Sequence, residues 1–139
     1  MTPLEHFLAA LIGLRDLYQL CHWNAPGASR YQEHLLFMRL YETASDDVDR
    51  VAERCVGLLR TRLTPRILGS LRDVWSRSTA AWPPTAGDAR EATVAVTNLA
   101  RDTLRQMREA SKLTPGVEDL LQSTASHLEE AQYLLTEIA

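Results

Sequence analysis

Residues 22–54 read HWNAPGASRYQEHLLFMRLYETASDDVDRVAER, and this stretch decides the fold. An Ala25-Pro26-Gly27 break separates two helical runs, because proline and glycine interrupt regular structure. His22 precedes the break and His34 lies twelve residues later, with Asp49 and Glu53 following at a spacing of four. Two imidazoles and two carboxylates suit a transition metal: imidazole binds iron, zinc and copper, and carboxylate binds the harder ions.

Asp49 and Glu53 share a helix face and can hold one ion together. On a continuous helix His34 and Asp49 cannot share one. Fifteen residues separate them by roughly 22 Å along the axis, against metal–ligand bonds of about 2 Å. A second copy of the helix, antiparallel across a two-fold axis, removes the conflict. It sets His22 and His34 of one subunit against Asp49 and Glu53 of the other. Isologous dimers are the commonest oligomers. If the four residues form one site, that site lies between subunits.

Upstream, Thr2 caps a first helix with Pro3 at its first position and Glu5 in its first turn. Leu4, Phe7, Leu8, Leu11, Leu14 and Tyr18 recur at three- and four-residue spacing and carry it to about Trp23. Gly13 marks close helix packing, and His6 reads as a surface residue. Ser29 is a candidate cap for the second helix, whose apolar positions run from Leu35 to Leu59 and carry it to about Arg60.

Downstream, Thr64-Pro65 opens a short amphipathic segment over residues 64–78, with Ile67, Leu68, Leu71, Val74 and Trp75 on its apolar side. Trp82-Pro83-Pro84 excludes helix interior. A third helix spans about Asp88 to Lys112, with Val94, Leu99, Leu104 and Met107 inward and Arg101, Asp102, Arg105 and Arg108 on a solvated face. Thr114 caps a fourth helix that starts with Pro115 and carries Glu118 and Asp119 in its first turns. His127 and Glu130 on it read as surface polar residues. No strand signal competes. The expectation is an all-α chain: one domain over residues 1–139, a four-helix bundle with a long crossover carrying a short helix. A single long crossover is the connection pattern of ferritin-like bundles.

Composition is that of a soluble globular protein, with 139 residues, 45% hydrophobic and 24% charged. The net charge of −3 provides no global basic field for nucleic acid or membrane. Lys112 is the only lysine among 15 basic residues. Cys21 and Cys55 form no zinc motif and no disulfide framework, and read as buried, reduced thiols. No signal peptide is expected, since no basic start leads into an apolar run. No apolar run approaches the roughly 20 residues of a membrane span. The expected location is the cytoplasm.

His22-Trp23-Asn24, Gly27, His34, Asp49 and Ala52-Glu53-Arg54 resemble the signature of Dps proteins, the ferritin-like miniferritins, with the order and gaps intact. A weaker likeness covers nearly the whole chain. Ordinary di-iron bundles carry Glu-x-x-His pairs within one subunit, and this sequence has none. The resemblance implies a homo-oligomeric hollow shell of twelve subunits. It implies ferroxidase centres at two-fold dimer interfaces, Fe(II) oxidation by hydrogen peroxide or O2, and storage of ferric mineral as protection against oxidative stress. Carried over, His22 and His34 bind iron from one subunit and Asp49 and Glu53 from its partner. Trp23, beside His22, is either an electron donor during peroxide reduction or an aromatic that packs the helix end.

The sequence departs from the family at two places. Four residues after the second histidine the family has Asp; here stands Met38. A thioether binds hard iron poorly, so the second metal position is weakened. The readings left open are a working ferroxidase and a Dps-like shell with a degenerate centre. The His-His-Met set also resembles a copper site, as thioethers favour Cu(I). Neither end carries a lysine-rich extension, so DNA binding is not expected. Family shells admit Fe(II) through acidic three-fold pores. Glu118 and Asp119 either line one or serve the helix N-terminus.

Overall fold

A computed structural model describes residues 1–25, 30–60, 62–64, 67 and 84–138. Four long helices occupy them: α1 (Pro3–Asn24), α2 (Arg30–Leu59), α3 (Ala86–Glu109) and α4 (Pro115–Ile138). No strand occurs among the described residues. The crossover segment over 64–78 lies outside the described residues apart from Thr64 and a buried, helical Ile67, and so do Gly27 and the proposed Ser29 cap.

Local chemistry sets the helix ends. The Thr2 hydroxyl accepts the Glu5 amide at 3.2 Å and starts α1. Thr85 starts α3 with a reciprocal capping box: its hydroxyl accepts the Asp88 amide, and the Asp88 carboxylate accepts the Thr85 amide. Thr114 accepts the Val117 amide and starts α4 behind Pro115. At the end of α3, Ser111 turns to φ 56°. The Ser111 amide donates to Arg108 O and the Lys112 amide to Met107 O, the paired bonds of a Schellman cap. Arg60 closes α2 in the same left-handed region, at φ 54°.

Helix α1 packs on α2 and α3, α3 on α4, and α4 more sparsely on α2. Neighbours run antiparallel. The end of α1 meets the start of α3 through Cys21 and Pro84, and α2 meets α4 through Arg39–Glu130 and Asp47–His127. Thus α2 and α3 point the same way, and the end of α2 and the start of α3 lie at opposite ends of the bundle, as in the ferritin-like connection. Leu4, Phe7, Leu8, Leu11 and Leu14 of α1 are essentially inaccessible, against Phe37, Val51, Val117, Leu121 and Leu135. Each such side chain contributes about 1.5–3 kcal/mol by leaving water. Gly13 is buried as expected.

The inner face of α3 corrects one expectation. Val94 points outward, 37% exposed. Met107 is buried as expected and Leu99 and Leu104 pack partly buried against the core, whose remaining α3 side is Ala89, Thr93, Val96, Thr97, Ala100 and Thr103. Its threonines satisfy themselves by donating to the carbonyl four residues back, each at 2.7 Å. Thr93 also accepts the Tyr18 hydroxyl at 2.6 Å, and Thr97 accepts the Gln132 amide at 2.7 Å. These bonds tie α1, α3 and α4 together across the middle of the bundle.

Candidate metal centre

The end of α1 and the start of α2 bring His22 and His34 into contact. Their rings stack with centroids 3.8 Å apart and planes inclined by 24°. His22 Nδ1 donates to the His34 carbonyl at 2.8 Å, and His34 Nδ1 donates to the His22 carbonyl at 2.9 Å. The His22 carbonyl lies in the last turn of α1, where helical acceptors lose their partners. A carbonyl only accepts, so each Nδ1 carries a proton, and the tautomer this selects is the one whose lone pair lies at Nε2. This is the arrangement of a metal-ligating histidine, with the second nitrogen held by a backbone oxygen.

The stacking limits what the pair can do. Imidazole lone pairs lie in the ring plane. Two planes so nearly parallel meet well beyond the roughly 2 Å reach of a metal–nitrogen bond. The two rings therefore cannot converge on one ion and offer two separate positions. Two-metal sites hold their ions about 3.5–4 Å apart, close to the stacking distance.

The carboxylates stand elsewhere. α2 is one unbroken helix, so Asp49 lies roughly 22 Å and Glu53 roughly 28 Å along the axis from His34. Both are exposed. One chain thus assembles the histidine pair without the carboxylates, and no cluster of three His, Cys, Asp or Glu occurs among the described residues. All these residues fall on or beside one outward stripe of α2. It begins with the exposed apolar side chains Tyr31, Leu35 and Met38 and continues through Glu42, Asp46, Asp49 and Glu53 to Val56. Trp23, next to His22, is 58% exposed.

Other polar groups have structural partners. His127, read from the sequence as a surface polar residue, is partly exposed and donates to the buried carboxylate of Asp47. Burial raises the Asp47 pKa, and the hydrogen bond from His127 opposes the shift. Thr124, three residues before His127, buries a hydroxyl with no hydrogen-bond partner among the described residues. Glu130 pairs with Arg39 at 2.5 Å and Glu118 with Arg108 at 3.1 Å, both at the surface. Asp119 borders an open groove of about 520 Å³ between the end of α2 and the start of α4, together with Glu53, Arg50, Arg54 and Gly116. Burial pushes the Cys21 thiol up to about 12 and the Cys55 thiol to about 11, with nearby carboxylates adding to both. Both thiols are unreactive at neutral pH.

No helix among the described residues is long and apolar enough to cross a membrane. No protein-family profile and no curated protein matches the sequence. Among solved structures the chain is similar to DpsC from Streptomyces coelicolor, with 28% identity and a TM-score of 0.77 over 97% of this chain and 80% of that one. With its crossover bundle and the ordered His22, His34, Asp49, Glu53 spacing, the chain is a Dps-like protein.

Proposed function

We propose that the chain is the subunit of a miniferritin that oxidises Fe(II) at inter-subunit centres and stores the ferric product. The observation that carries this reading is the reciprocal pinning of His22 and His34, which frees both Nε2 atoms as metal donors. Iron is substrate and cargo here. The histidine pair fits it in part, because Fe(II) also needs oxygen donors. Antiparallel pairing of two α2 stripes about a two-fold axis near Glu42 supplies them: Asp49 and Glu53 of the partner approach His22 and His34. The exposed Leu35, Met38 and Val56 give that interface its apolar part. The homodimers build a shell, a dodecamer by family analogy, in the cytoplasm. The net charge of −3 gives it no electrostatic attraction for DNA.

The chemistry balances simply. Two Fe(II) ions give one electron each to one hydrogen peroxide, whose O–O bond breaks. With two water molecules the products are two ferric oxyhydroxide units and four protons. The imidazoles hold the ions in separate positions, and the partner's carboxylates offset the rising positive charge. Trp23 is placed by sequence beside His22 as an auxiliary electron donor. O2 is the alternative oxidant.

The test is anaerobic loading with Fe(II), then hydrogen peroxide, followed by ferric absorbance and size exclusion. Rapid oxidation at two irons per peroxide, with iron co-eluting in a large assembly, is expected. A rate no higher than the protein-free control would refute the reading. A second reading rests on Met38, 37% exposed on the same stripe where a carboxylate would serve iron: a shell whose second position no longer turns over. Met38→Asp separates the two. Activity arising from none in that variant would identify the degenerate form.

A further inference from the structure

His34 and Met38 stand one turn apart on α2. At that spacing the two Cβ atoms are about 5–6 Å apart on one side of the helix. The His34 ring is held by its bond to the His22 carbonyl and by stacking on His22. Met38 is the adaptable member: an unbranched thioether with three rotatable bonds, 37% exposed. Among the described residues no carboxylate of the same chain completes this pair. Glu42 is a further turn away, roughly 12 Å along the axis from His34. The near-parallel rings also keep His22 from chelating the same ion.

We propose that His34 Nε2 and Met38 Sδ form a Cu(I)-binding pair on each chain. One imidazole and one thioether make a soft donor set that discriminates against hard iron and favours Cu(I). The pair shares His34 with the proposed iron centre and lies at the same proposed dimer interface, but both of its donors come from one chain and it needs no peroxide. Copper at this position would displace iron from the second of the two metal positions. The buried Cys21 and Cys55 do not contribute to this surface site.

The test is anaerobic titration of the full chain with Cu(I) against a chromogenic Cu(I) chelator, with no iron present. Wild type is expected to compete for about one Cu(I) per chain, consistent with a single thioether position. Met38→Leu conserves volume and should weaken binding at least tenfold, the lower end of what supporting groups at metal sites are worth. Methyl NMR on wild type gives an independent reading: the Met38 methyl shifts on Cu(I) addition while the buried Met107 methyl does not. An unmoved Met38 methyl, or equal affinity in Met38→Leu, overturns the proposal even if copper binds elsewhere. Since nothing is oxidised in this assay, its failure leaves the iron reading untouched, and the reverse also holds.

Discussion

His127 on α4 donates its Nδ1 hydrogen to the carboxylate of Asp47 on α2, at 2.9 Å from Oδ2 and 3.1 Å from Oδ1. Eighty residues apart in sequence, the two pin the sparsest seam of the bundle. Asp47 is almost inaccessible while His127 is partly open to solvent.

Removing His127 leaves the Asp47 carboxylate buried and unpaired. His127→Ala should cost about 1–3 kcal/mol at neutral pH, read as a lower denaturation midpoint. The pH dependence has a definite sign. Burial raises the Asp47 pKa above its unfolded value. Its contribution therefore favours the fold below the ordinary carboxylate range and is lost as pH rises through the raised value. The cost of His127→Ala should shrink as pH falls and Asp47 protonates. Asp47→Asn should flatten the difference; a cost independent of pH would contradict the account.

Ser111 holds the left-handed cap of α3 at φ 56° with its side chain exposed. Glycine adopts that conformation without the Cβ penalty of about 1–2 kcal/mol, less its extra unfolded-state entropy. Ser111→Gly is expected to stabilise by about 0.5–1 kcal/mol. An increase in urea midpoint at constant m-value would establish it.

The proposed antiparallel pairing fixes a register. Matching His34 with the partner's Asp49 puts the two-fold axis between Tyr41 and Glu42. Glu42→Cys should then form an inter-subunit disulfide under mild oxidation, since residues facing across an axis meet disulfide geometry. Glu53→Cys should not. The native cysteines are buried and give little background. Cross-linking at position 53 in preference to 42 would disprove the register.

Two inactive chains should also rescue each other. His22→Ala/His34→Ala removes one half of the proposed centre and Asp49→Ala/Glu53→Ala the other. In a randomly mixed dimer population half the dimers are hybrid, each with one intact site, so co-expression should restore about a quarter of wild-type ferroxidase activity. A centre contained within one subunit would give none.

The bundle was legible because its signals are local. Thr2-Pro3 and Thr114-Pro115 announce helix starts, and the spacing of Leu4, Phe7, Leu8 and Leu11 fixes the inner face of α1. The Thr85–Asp88 box was equally local, although the apolar pattern alone placed the start of α3 at Asp88. Val94 was misread because a core built from alanine and hydroxyl-satisfied threonine carries little hydropathy contrast. The Asp47–His127 pair had no sequence signal, as burial of a carboxylate depends on how α2 and α4 lie together. The His22–His34 contact follows from the short sequence separation of their helices. The carbonyl bonds that set both tautomers depend on where α1 ends.

The unbroken length of α2 has a consequence for control. In the proposed pairing a lone chain carries only fragments of two reaction centres, so a newly synthesised or dissociated subunit is redox-silent. At low concentration the rate should climb with the square of chain concentration and become linear once dimers saturate. The oxidation of iron would then be gated by encounter, before any metal arrives, and the chemistry would begin only where a container is already being built.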